Sequence, residues 1–415
     1  MEPLRIIHVL SHNQCTRGGA IQALLIATAQ QDAGHEVTVL YHNDPNRPLH
    51  ASFGAWAERG MKILPFHQNR LSELLRFRAL IKRHRPHVVH AHREKSAFFV
   101  WLATAFLPLP VFVSQRGTTK PIHTWYLGMA LRSPRMHRVI AVAEAVKRQL
   151  VSERLPDRKV EVVYGSFDVD RFDPSTADRA KLRDELGLDD DQKLVVQVGE
   201  LHSKKSPRTF IRVGAEILKR RDDVVFALVG KGNRERQCRR EIELLGVGDR
   251  VKMVGFRTDI PDVYAASDIA VNCSSRFEGL TGAIREALAM AKPVVATKTD
   301  GNPEVVRHEQ TGLLVPVGDI GAMAAAVERL LDDDEKARTY GAAGRRLVLE
   351  LMHPDVRLKR MMSVYESVLG ENASESSSAQ DDSAARVHSS SRAIAPASDA
   401  APSASRSASG TTPKV

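Results

Sequence analysis

The chain has 415 residues, of which 43% are hydrophobic and 27% charged, and it carries a formal net charge of +10. These values are typical of a globular protein and exclude a fibrous or largely disordered chain. A single hydrophobic core rarely serves so many residues, so we expect two domains with a cleft between them. The three cysteines, without CxxC spacing, argue against a zinc site and a disulfide framework and favour a reducing cytosol.

The positive charge is concentrated in the first half of the chain. Residues 51–150 contain 17 Lys or Arg against four Glu, a net charge of +13. A basic surface of this kind attracts anionic lipid headgroups, phosphorylated glycans or nucleic acid, although a solvated helix face explains it equally well. We expect no nucleic-acid partner, because RNP, zinc-finger and basic-zipper patterns are missing and only 5% of the residues are aromatic.

In the first half, short β-branched runs alternate with helical stretches, the pattern of a parallel sheet with crossover helices. The predicted strands are Leu4–Leu10, Glu36–Tyr41, His87–Ala91, Val111–Ser114, Arg138–Ala141 and Val160–Val163. The apolar run over 97–113 approaches the length of a membrane span, but Pro108 and Pro110 divide it. We therefore expect a buried helix over 97–107 and then a strand. The N-terminus lacks the order of a signal peptide, so we expect no export.

After the sixth strand the pattern breaks into Asp, Pro and polar residues, as in an interdomain linker with a small helix. A second series of strands follows: Lys193–Val198, Val224–Val229, Val251–Val254, Ile269–Asn272, Pro293–Ala296 and Gly312–Val315. The expected fold class is α/β, with doubly wound domains at 1–165 and 192–352 and a linker over 166–191. Residues 353–370 are predicted as a helix packing back on the first domain, and the Ser- and Ala-rich residues 371–415 as a disordered tail.

One segment of the second half, which follows a predicted strand and opens a helix, carries the clearest chemistry. Its small residues leave the first amides of the helix uncovered, and free N–H groups at a helix N-terminus bind phosphate. These small residues are Gly279, Thr281 and Gly282. Glu278 stands before the helix and Glu286 about a turn and a half inside it. A carboxylate at the mouth can reach a transferred sugar, whereas one further in can accept both hydroxyls of a ribose.

This segment resembles the E-x7-E motif of the retaining glycosyltransferases of family 4, formed here by Glu278 and Glu286. Segments with a similar context follow at 292–296, 300–306 and 311–315. The resemblance covers about residues 4–369. It implies the GT-B fold, in which two Rossmann-like domains face a cleft and the C-terminal domain binds the nucleotide. It also implies that Glu278 orients the donor sugar, that Glu286 holds the ribose and that no metal is needed.

Upstream, residues 198–205 resemble the family's G-R-L-x-x-x-K-G segment, whose basic residues neutralise the donor diphosphate. Lys205 matches this motif and would act as a point charge on the β-phosphate. Glu200 departs from it, because the family usually has arginine there. In the first domain, residues 113–120 resemble a segment that often carries a histidine near the transferred sugar, and Arg116 occupies that position. We hypothesise that Arg116 crosses the closed cleft and either pairs with Glu200 or replaces the lost charge.

The resemblance assigns catalytic roles to Glu278, Lys205 and Arg116. The residues expected to bind the donor are Gly18, Gly19, Gly199, Glu200, Gly230, Gly279, Leu280, Thr281, Gly282 and Glu286. Gly18 and Gly19 follow the first strand, as the family's Gly-Gly loop does, and glycine lets backbone approach a ligand closely. His92 is expected to line the cleft on the acceptor side. With His90 it also offers two metal ligands, but the sequence identifies no third.

We therefore expect a retaining glycosyltransferase that moves a sugar from a UDP-, GDP- or ADP-sugar to an acceptor hydroxyl, without a cofactor or a metal. The expected acceptor is a glycan or lipid-linked glycan, as in the synthesis of lipopolysaccharide or surface polysaccharide. The basic first half predicts a cytoplasmic enzyme that contacts the anionic inner face of the plasma membrane. Two alternatives remain: a catalytically silent nucleotide-sugar binding protein, indicated by Glu200 and Arg116, and a GT-B nucleotide-sugar epimerase.

Overall fold

A computed structural model describes residues 2–15, 18–43, 50–68, 70–108 and 110–371 of the chain. One compact unit extends to Val368, and residues 369–371 are helical. The tail predicted over 371–415 lies outside the described residues except for its first residue. Within the described ranges, no helix combines the length and the apolar character that crossing a membrane requires.

The first sheet has seven parallel strands within the described residues. They are β1 (Arg5–Leu10), β2 (Glu36–His42), β3 (Lys62–Phe66), β4 (Val88–His92), β5 (Val111–Arg116), β6 (Arg138–Ala141) and β7 (Val160–Val162). Their spatial order is β3-β2-β1-β4-β5-β6-β7, so the direction of winding reverses between β1 and β4. Burial on both faces of the central strands is what a parallel sheet covered by helices requires.

Strand β3 was not expected from the sequence. Its five residues include Pro65, which cannot donate to a ladder and is therefore tolerated only at the edge of a sheet. The spatial order places β3 at that edge, paired with β2 alone. The other predicted strands are confirmed, with ends that move by one or two residues.

Helices cover both faces of this sheet. They are α1 (Gly18–Asp32), α2 (Gly54–Glu58), α3 (Leu71–His84), α4 (Glu94–Ala103), α5 (Trp125–Arg132) and α6 (Glu144–Ser152). The run 97–113 divides as expected, because α4 ends before Pro108 and β5 begins after Pro110. Short 3₁₀ turns occur at Ala51–Phe53 and Asp157–Lys159.

The second sheet has six parallel strands within the described residues, in the order β10-β9-β8-β11-β12-β13. They are β8 (Lys193–Val198), β9 (Val224–Val229), β10 (Val251–Gly255), β11 (Ile269–Asn272), β12 (Val294–Thr297) and β13 (Gly312–Val315). The helices are α7 (Arg179–Leu186), α8 (Pro207–Ile217), α9 (Glu235–Leu245), α10 (Ile260–Ala266), α11 (Gly282–Ala289), α12 (Asn302–Val305), α13 (Ile320–Leu331), α14 (Asp334–Met352) and α15 (354–371). Together the two sheets form the GT-B architecture that the resemblance implied.

The small helix α7 shows how local sequence sets an element's ends. The Asp178 side chain accepts hydrogen bonds from the amides of Ala180 and Lys181 at its start. Gly187, with φ of 64°, ends the helix in the left-handed conformation that glycine adopts without strain. The helix lies in the segment predicted as the linker.

Helix α15 contacts the first sheet. The Tyr365 hydroxyl lies 2.7 Å from Nδ1 of His90 on β4, and Nε2 of Gln30 on α1 donates to it at 3.4 Å. The C-terminal helix therefore packs against β4 and α1 in the N-terminal half of the chain.

The winding reverses in both sheets at the point where the first and fourth strands of each series lie side by side. Ligands of doubly wound sheets bind at the carboxyl ends of the strands, at such a switch point. Three predicted segments follow these ends: Gly18 and Gly19 after β1, Gly199 and Glu200 after β8, and the Glu278 segment after β11. The fold therefore brings together residues that are far apart in the sequence.

Candidate functional site

A cavity of about 650 Å³ lies at these strand ends. Nine of the predicted site residues line it: Gly18, Gly19, Gly199, Glu200, Lys205, Gly230, Glu278, Leu280 and Gly282. Both halves of the chain contribute, since Gln22 and Gln115 from the first sheet's elements line it as well. The volume lies in the range of pockets for small molecules and cofactors.

The N-terminus of α11 opens beside this cavity. Thr281 precedes the helix, but its side chain does not cap it and instead lies 3.4 Å from the Asn302 amide oxygen. The first amides of an uncapped helix keep their N–H groups available, and they carry the positive end of the helix dipole. This end of α11 is therefore suited to binding phosphate, as the small residues of the segment predicted.

Lys205 and Glu278 form an ion pair in the cavity, with Nζ 3.0 Å from Oε1. Lys205 ends a 3₁₀ turn after β8, and Glu278 lies in the loop after β11. Both side chains are mostly buried, at 22% and 15% exposed. The pair places a cation and a carboxylate, each predicted to be catalytic, next to the α11 N-terminus.

Glu286 lies on α11 next to Arg285. Arg285 lines the cavity, whereas Glu286 does not. Its Oε1 is 3.6 Å from the position that a Cβ atom on Gly282 would take. Burial raises the pKa of Glu286, while the positive charges of Arg285, Arg171 and Lys205 lower it. A carboxylate held in a desolvated place beside several cations can bind a polyol strongly, because little water competes for its oxygens.

Two loops meet across the cleft, and the sequence did not predict their contact. Oγ1 of Thr118 donates to the Phe277 carbonyl at 2.8 Å, and Oγ1 of Thr119 donates to Oδ1 of Asp300 at 2.9 Å. The other oxygen of Asp300 accepts from the Glu278 amide at 3.0 Å. The loop after β5 therefore helps to hold the backbone of Glu278.

The contact between these two loops requires a glycine at position 279. A Cβ atom at this position would lie 2.6 Å from the Gly117 carbonyl oxygen and 2.8 Å from Cγ2 of Val142. Both distances are shorter than real side chains allow, so any other residue would push the two loops apart. Gly279 thus serves close approach between the two halves as well as access to the helix amides.

Arg116 does not cross the cleft to Glu200. It is 4% exposed, forms an ion pair with Glu94 and donates a hydrogen bond to the Lys120 carbonyl. Glu94, in the first turn of α4, offers a carboxylate next to the end of β5, which explains the choice of partner. The hypothesis of a pair with Glu200 is therefore wrong, whereas the catalytic role of Arg116 stays a prediction. Its neighbours Gln115 and Gly117 line the cavity instead.

His92 does not line the cavity either: it ends β4, but it is 2% exposed and its ring packs against His8 and His90. The register of β1 and β4 pairs His8 with His90, which adds the third imidazole that the sequence did not identify. The three rings can supply nitrogens within 4.8 Å of one another, a spacing compatible with a metal ion. The expected cleft-lining role of His92 is therefore corrected.

Hydrogen bonds and charge favour a neutral core cluster over a metal site. Nδ1 of His8 lies 2.9 Å from Nε2 of His92, and Nε2 of His8 lies 2.7 Å from the Gln30 side-chain oxygen. Burial lowers the pKa of His8 to about 4 and the pKa values of His90 and His92 well below their usual range. The buried Arg357 lowers all three further, and its positive charge opposes a bound cation.

Several residues at the cavity were missed by the sequence reasoning. Gln22, Gln115, Arg257 and Arg285 line it, and Asp300 supports Glu278 from behind. Arg285 carried a signal, because a charged residue stands between Ile284 and Glu286 on a helix whose other side packs in the core. The remaining residues follow ordinary helix, strand or loop patterns and carried none.

Two family models match the chain: "Glycosyl transferases group 1" over residues 178–347 and "Glycosyltransferase Family 4" over residues 16–171. The alpha-D-kanosaminyltransferase of Streptomyces kanamyceticus is 30% identical over 303 residues, which are 68% of this chain and 75% of that protein. A UDP-Gal:alpha-D-GlcNAc-diphosphoundecaprenol alpha-1,3-galactosyltransferase of Escherichia coli is 26% identical over 278 residues, 63% of this chain and 71% of that one.

A solved structure shares the fold. The crystal structure of Anabaena Alr3699/HepE in complex with UDP superimposes with a TM-score of 0.77 at 21% identity. The match covers 88% of this chain and 100% of that one. The two proteins therefore share their fold.

Proposed function

Because this chain belongs to the glycosyltransferases of group 1 and family 4, we propose that it transfers a hexose-like unit from a nucleoside-diphosphate sugar to an acceptor hydroxyl with retention of configuration. The observation that supports this most is the Lys205–Glu278 pair beside the uncapped N-terminus of α11 in the cleft. It brings together a cation, a carboxylate and a row of amides where a sugar diphosphate would need them.

In the proposed mechanism, the bond between the anomeric carbon and the β-phosphate oxygen breaks, and the electron pair stays on the phosphate. The Lys205 ammonium and the α11 amides stabilise this developing charge. The acceptor oxygen forms its bond on the same face, and its proton passes to the leaving phosphate. Glu278 orients the donor sugar, so the protein supplies positioning and charge without a nucleophile or a metal.

Glu286 is proposed to accept hydrogen bonds from the two ribose hydroxyls. The test is calorimetric titration with UDP, GDP and ADP of the wild type and of Glu286→Ala, with Glu216→Ala, a half-buried glutamate outside the cavity, as the control. We expect one nucleotide to bind and Glu286→Ala to weaken it by about 10- to 100-fold, as for the loss of hydrogen bonds to a charged group. Failure of all three nucleotides to bind would contradict the proposed donor site.

We propose a lipid-linked glycan as the acceptor, reached at an anionic membrane surface. Helices α3, α4 and α5 lie side by side and present an apolar face, formed by Leu71, Leu75, Leu102, Trp125, Tyr126 and Met129. Leu71 and Trp125 are 79% and 73% exposed, although such side chains usually avoid water. Arg70 and Lys95 line a groove of about 390 Å³ within this face, so positive charge accompanies the apolar surface.

Exposed aliphatic and aromatic side chains with nearby cations are typical of proteins that dock on a bilayer from one side. Co-sedimentation with phosphatidylglycerol-containing and pure phosphatidylcholine vesicles tests this. Leu71→Ser/Leu75→Ser should reduce binding to anionic vesicles, whereas the control Leu244→Ser/Leu245→Ser, on the exposed side of α9, should not. Equal binding to both vesicle types would remove the membrane from the proposal. The proposed cytoplasmic location is supported by three free cysteines.

A further inference from the structure

Arg285 is a cation of the cavity that none of the roles above uses. It lies in the first turn of α11, is 7% exposed and lines the cavity. Its Nη1 lies 3.0 Å from the position that a Cβ atom on Gly165 would take, and its Nη2 lies 3.7 Å from the corresponding position on Gly282. The guanidinium therefore lies between the segment that joins the two sheets and the start of α11.

Burial lowers the pKa of Arg285, and the carboxylate of Glu286 on the next residue opposes this effect only in part. Among the described ranges up to residue 371, no ion pair or hydrogen bond joins its guanidinium to another residue, and its Nε is buried without a partner. Other cations of the cavity differ, since Lys205 is paired with Glu278, Arg257 is paired with Asp259, and Lys231 is exposed. A buried guanidinium without an ion-pair or hydrogen-bond partner is unfavourable, which favours the entry of an anion into the cavity beside it.

A second guanidinium reinforces the positive potential. Arg357 is 2% exposed, and its Nη1 donates to the Ser166 hydroxyl at 3.2 Å. Its Nε also has no hydrogen-bond partner among the described residues. Burial and the positive charge of Arg285 both lower the pKa of Arg357, so the two groups are close enough to repel each other. An anion beside Arg285 would relieve this repulsion.

We infer that Arg285 binds the diphosphate of the donor. The inference rests on the proposed function, because it takes the donor to be a nucleoside-diphosphate sugar. An arginine fork matches two phosphate oxygens, and this one would act next to the α11 amides and Lys205. It also accounts for the departure at position 200, where Glu200 stands in place of the arginine of the resembling motif. In the motif, an arginine after the β8 strand neutralises the phosphate charge. Here Arg285, on α11, takes that role.

The experiment compares Arg285→Met with the wild type in calorimetric titrations with the nucleoside, monophosphate and diphosphate of the base that binds. We expect the affinity for the diphosphate to fall by about 10- to 100-fold, the effect of losing hydrogen bonds to a charged group, and the affinity for the nucleoside to change by less than about twofold. Arg285→Lys keeps the charge but not the fork, so its loss should be intermediate. Glu200→Arg in the Arg285→Met background should restore part of the diphosphate affinity.

Thermal unfolding without ligand separates binding from a structural role. Since Arg285→Met removes a buried charge that forms no ion pair within the described residues, the variant should melt at or above the wild-type temperature. An equal loss for nucleoside and diphosphate, no loss at all, or a variant that fails to fold while Arg285→Gln also fails would overturn the inference. If the wild type itself binds no nucleotide, the proposed function fails instead, so the two failures are distinguishable.

Discussion

Nζ of Lys205 lies 3.0 Å from Oε1 of Glu278, so the two charged groups at the mouth of the cleft neutralise each other. Under the proposed function, a diphosphate entering the cavity would compete with Glu278 for the ammonium group. The carboxylate released from the pair would then become available to the hydroxyls of the donor sugar. We therefore propose that donor binding and orientation of the donor sugar are coupled through Lys205.

This coupling predicts opposite effects of two substitutions on product affinity. Lys205→Met should lower turnover by about 10²- to 10³-fold and weaken binding of the nucleoside diphosphate, because the charge on the leaving phosphate loses its partner. Glu278→Gln should lower turnover by a similar factor, yet bind the diphosphate as tightly or more tightly, because Lys205 is freed. Rate measurements with isothermal titration check this, with Lys204→Met as the control. Weaker diphosphate binding in Glu278→Gln would contradict the coupling.

The partner of Arg116 predicts a stability effect. Arg116→Ala and Glu94→Ala should each destabilise the protein by about 3 kcal/mol, because each breaks a largely buried ion pair and strands one charge. Chemical denaturation of both single variants and the double variant should give a clearly non-additive cycle. On turnover, by contrast, Arg116→Ala and Glu200→Ala should be additive within about 0.5 kcal/mol. A strong coupling between Arg116 and Glu200 would contradict this prediction and would indicate that the two side chains meet across the cleft.

The histidine cluster predicts loss of stability in weak acid. Burial lowers the pKa of His8 from 6.5 to about 4, so between these values the unfolded chain binds a proton that the folded chain does not. Stability should therefore fall as the pH drops from about 6.5 to 4, by up to about 3 kcal/mol for His8 alone, and further through His90 and His92. Melting temperatures across this range check the prediction. His308→Gln, at an exposed site, should leave the profile unchanged, and a flat wild-type profile would contradict it.

Glu304 forms hydrogen bonds between the two halves of the chain, and these predict a stability effect. Its carboxylate, on α12, accepts hydrogen bonds from the amides of Glu144 and Ala145 at the start of α6, at 2.9 and 2.8 Å, and from the Tyr164 hydroxyl at 2.9 Å. Glu304→Ala removes a helix cap and should destabilise the protein by about 1–2 kcal/mol. Tyr164→Phe, which keeps the cap, should cost less. Denaturant titrations of both variants measure the difference, and equal losses would argue against capping as the cause.

Local sequence was sufficient for most of the fold. Continuous apolar runs such as Val224–Val229 can only be buried strands between helices, and prolines set the boundary between α4 and β5. The edge strand β3 was not predicted, because Pro65 interrupts its short run of apolar residues. The start of α11 at Gly282 was also readable from the sequence, because a few consecutive small residues after a strand indicate an open helix N-terminus; phosphate binding there stays a prediction.

What the sequence by itself determined is the set of groups that follow each strand: the glycines after β1, Lys205 after β8 and the two glutamates around α11. Only the tertiary structure decided which of these groups meet, because ion-pair partners depend on distances between elements far apart in the chain. It paired Lys205 with Glu278 and Arg116 with Glu94, and it buried His92 against His8 and His90. It also left the Arg285 guanidinium without an ion-pair or hydrogen-bond partner among the residues that the structure describes, since packing of α11 against the other half fixes what that side chain can reach.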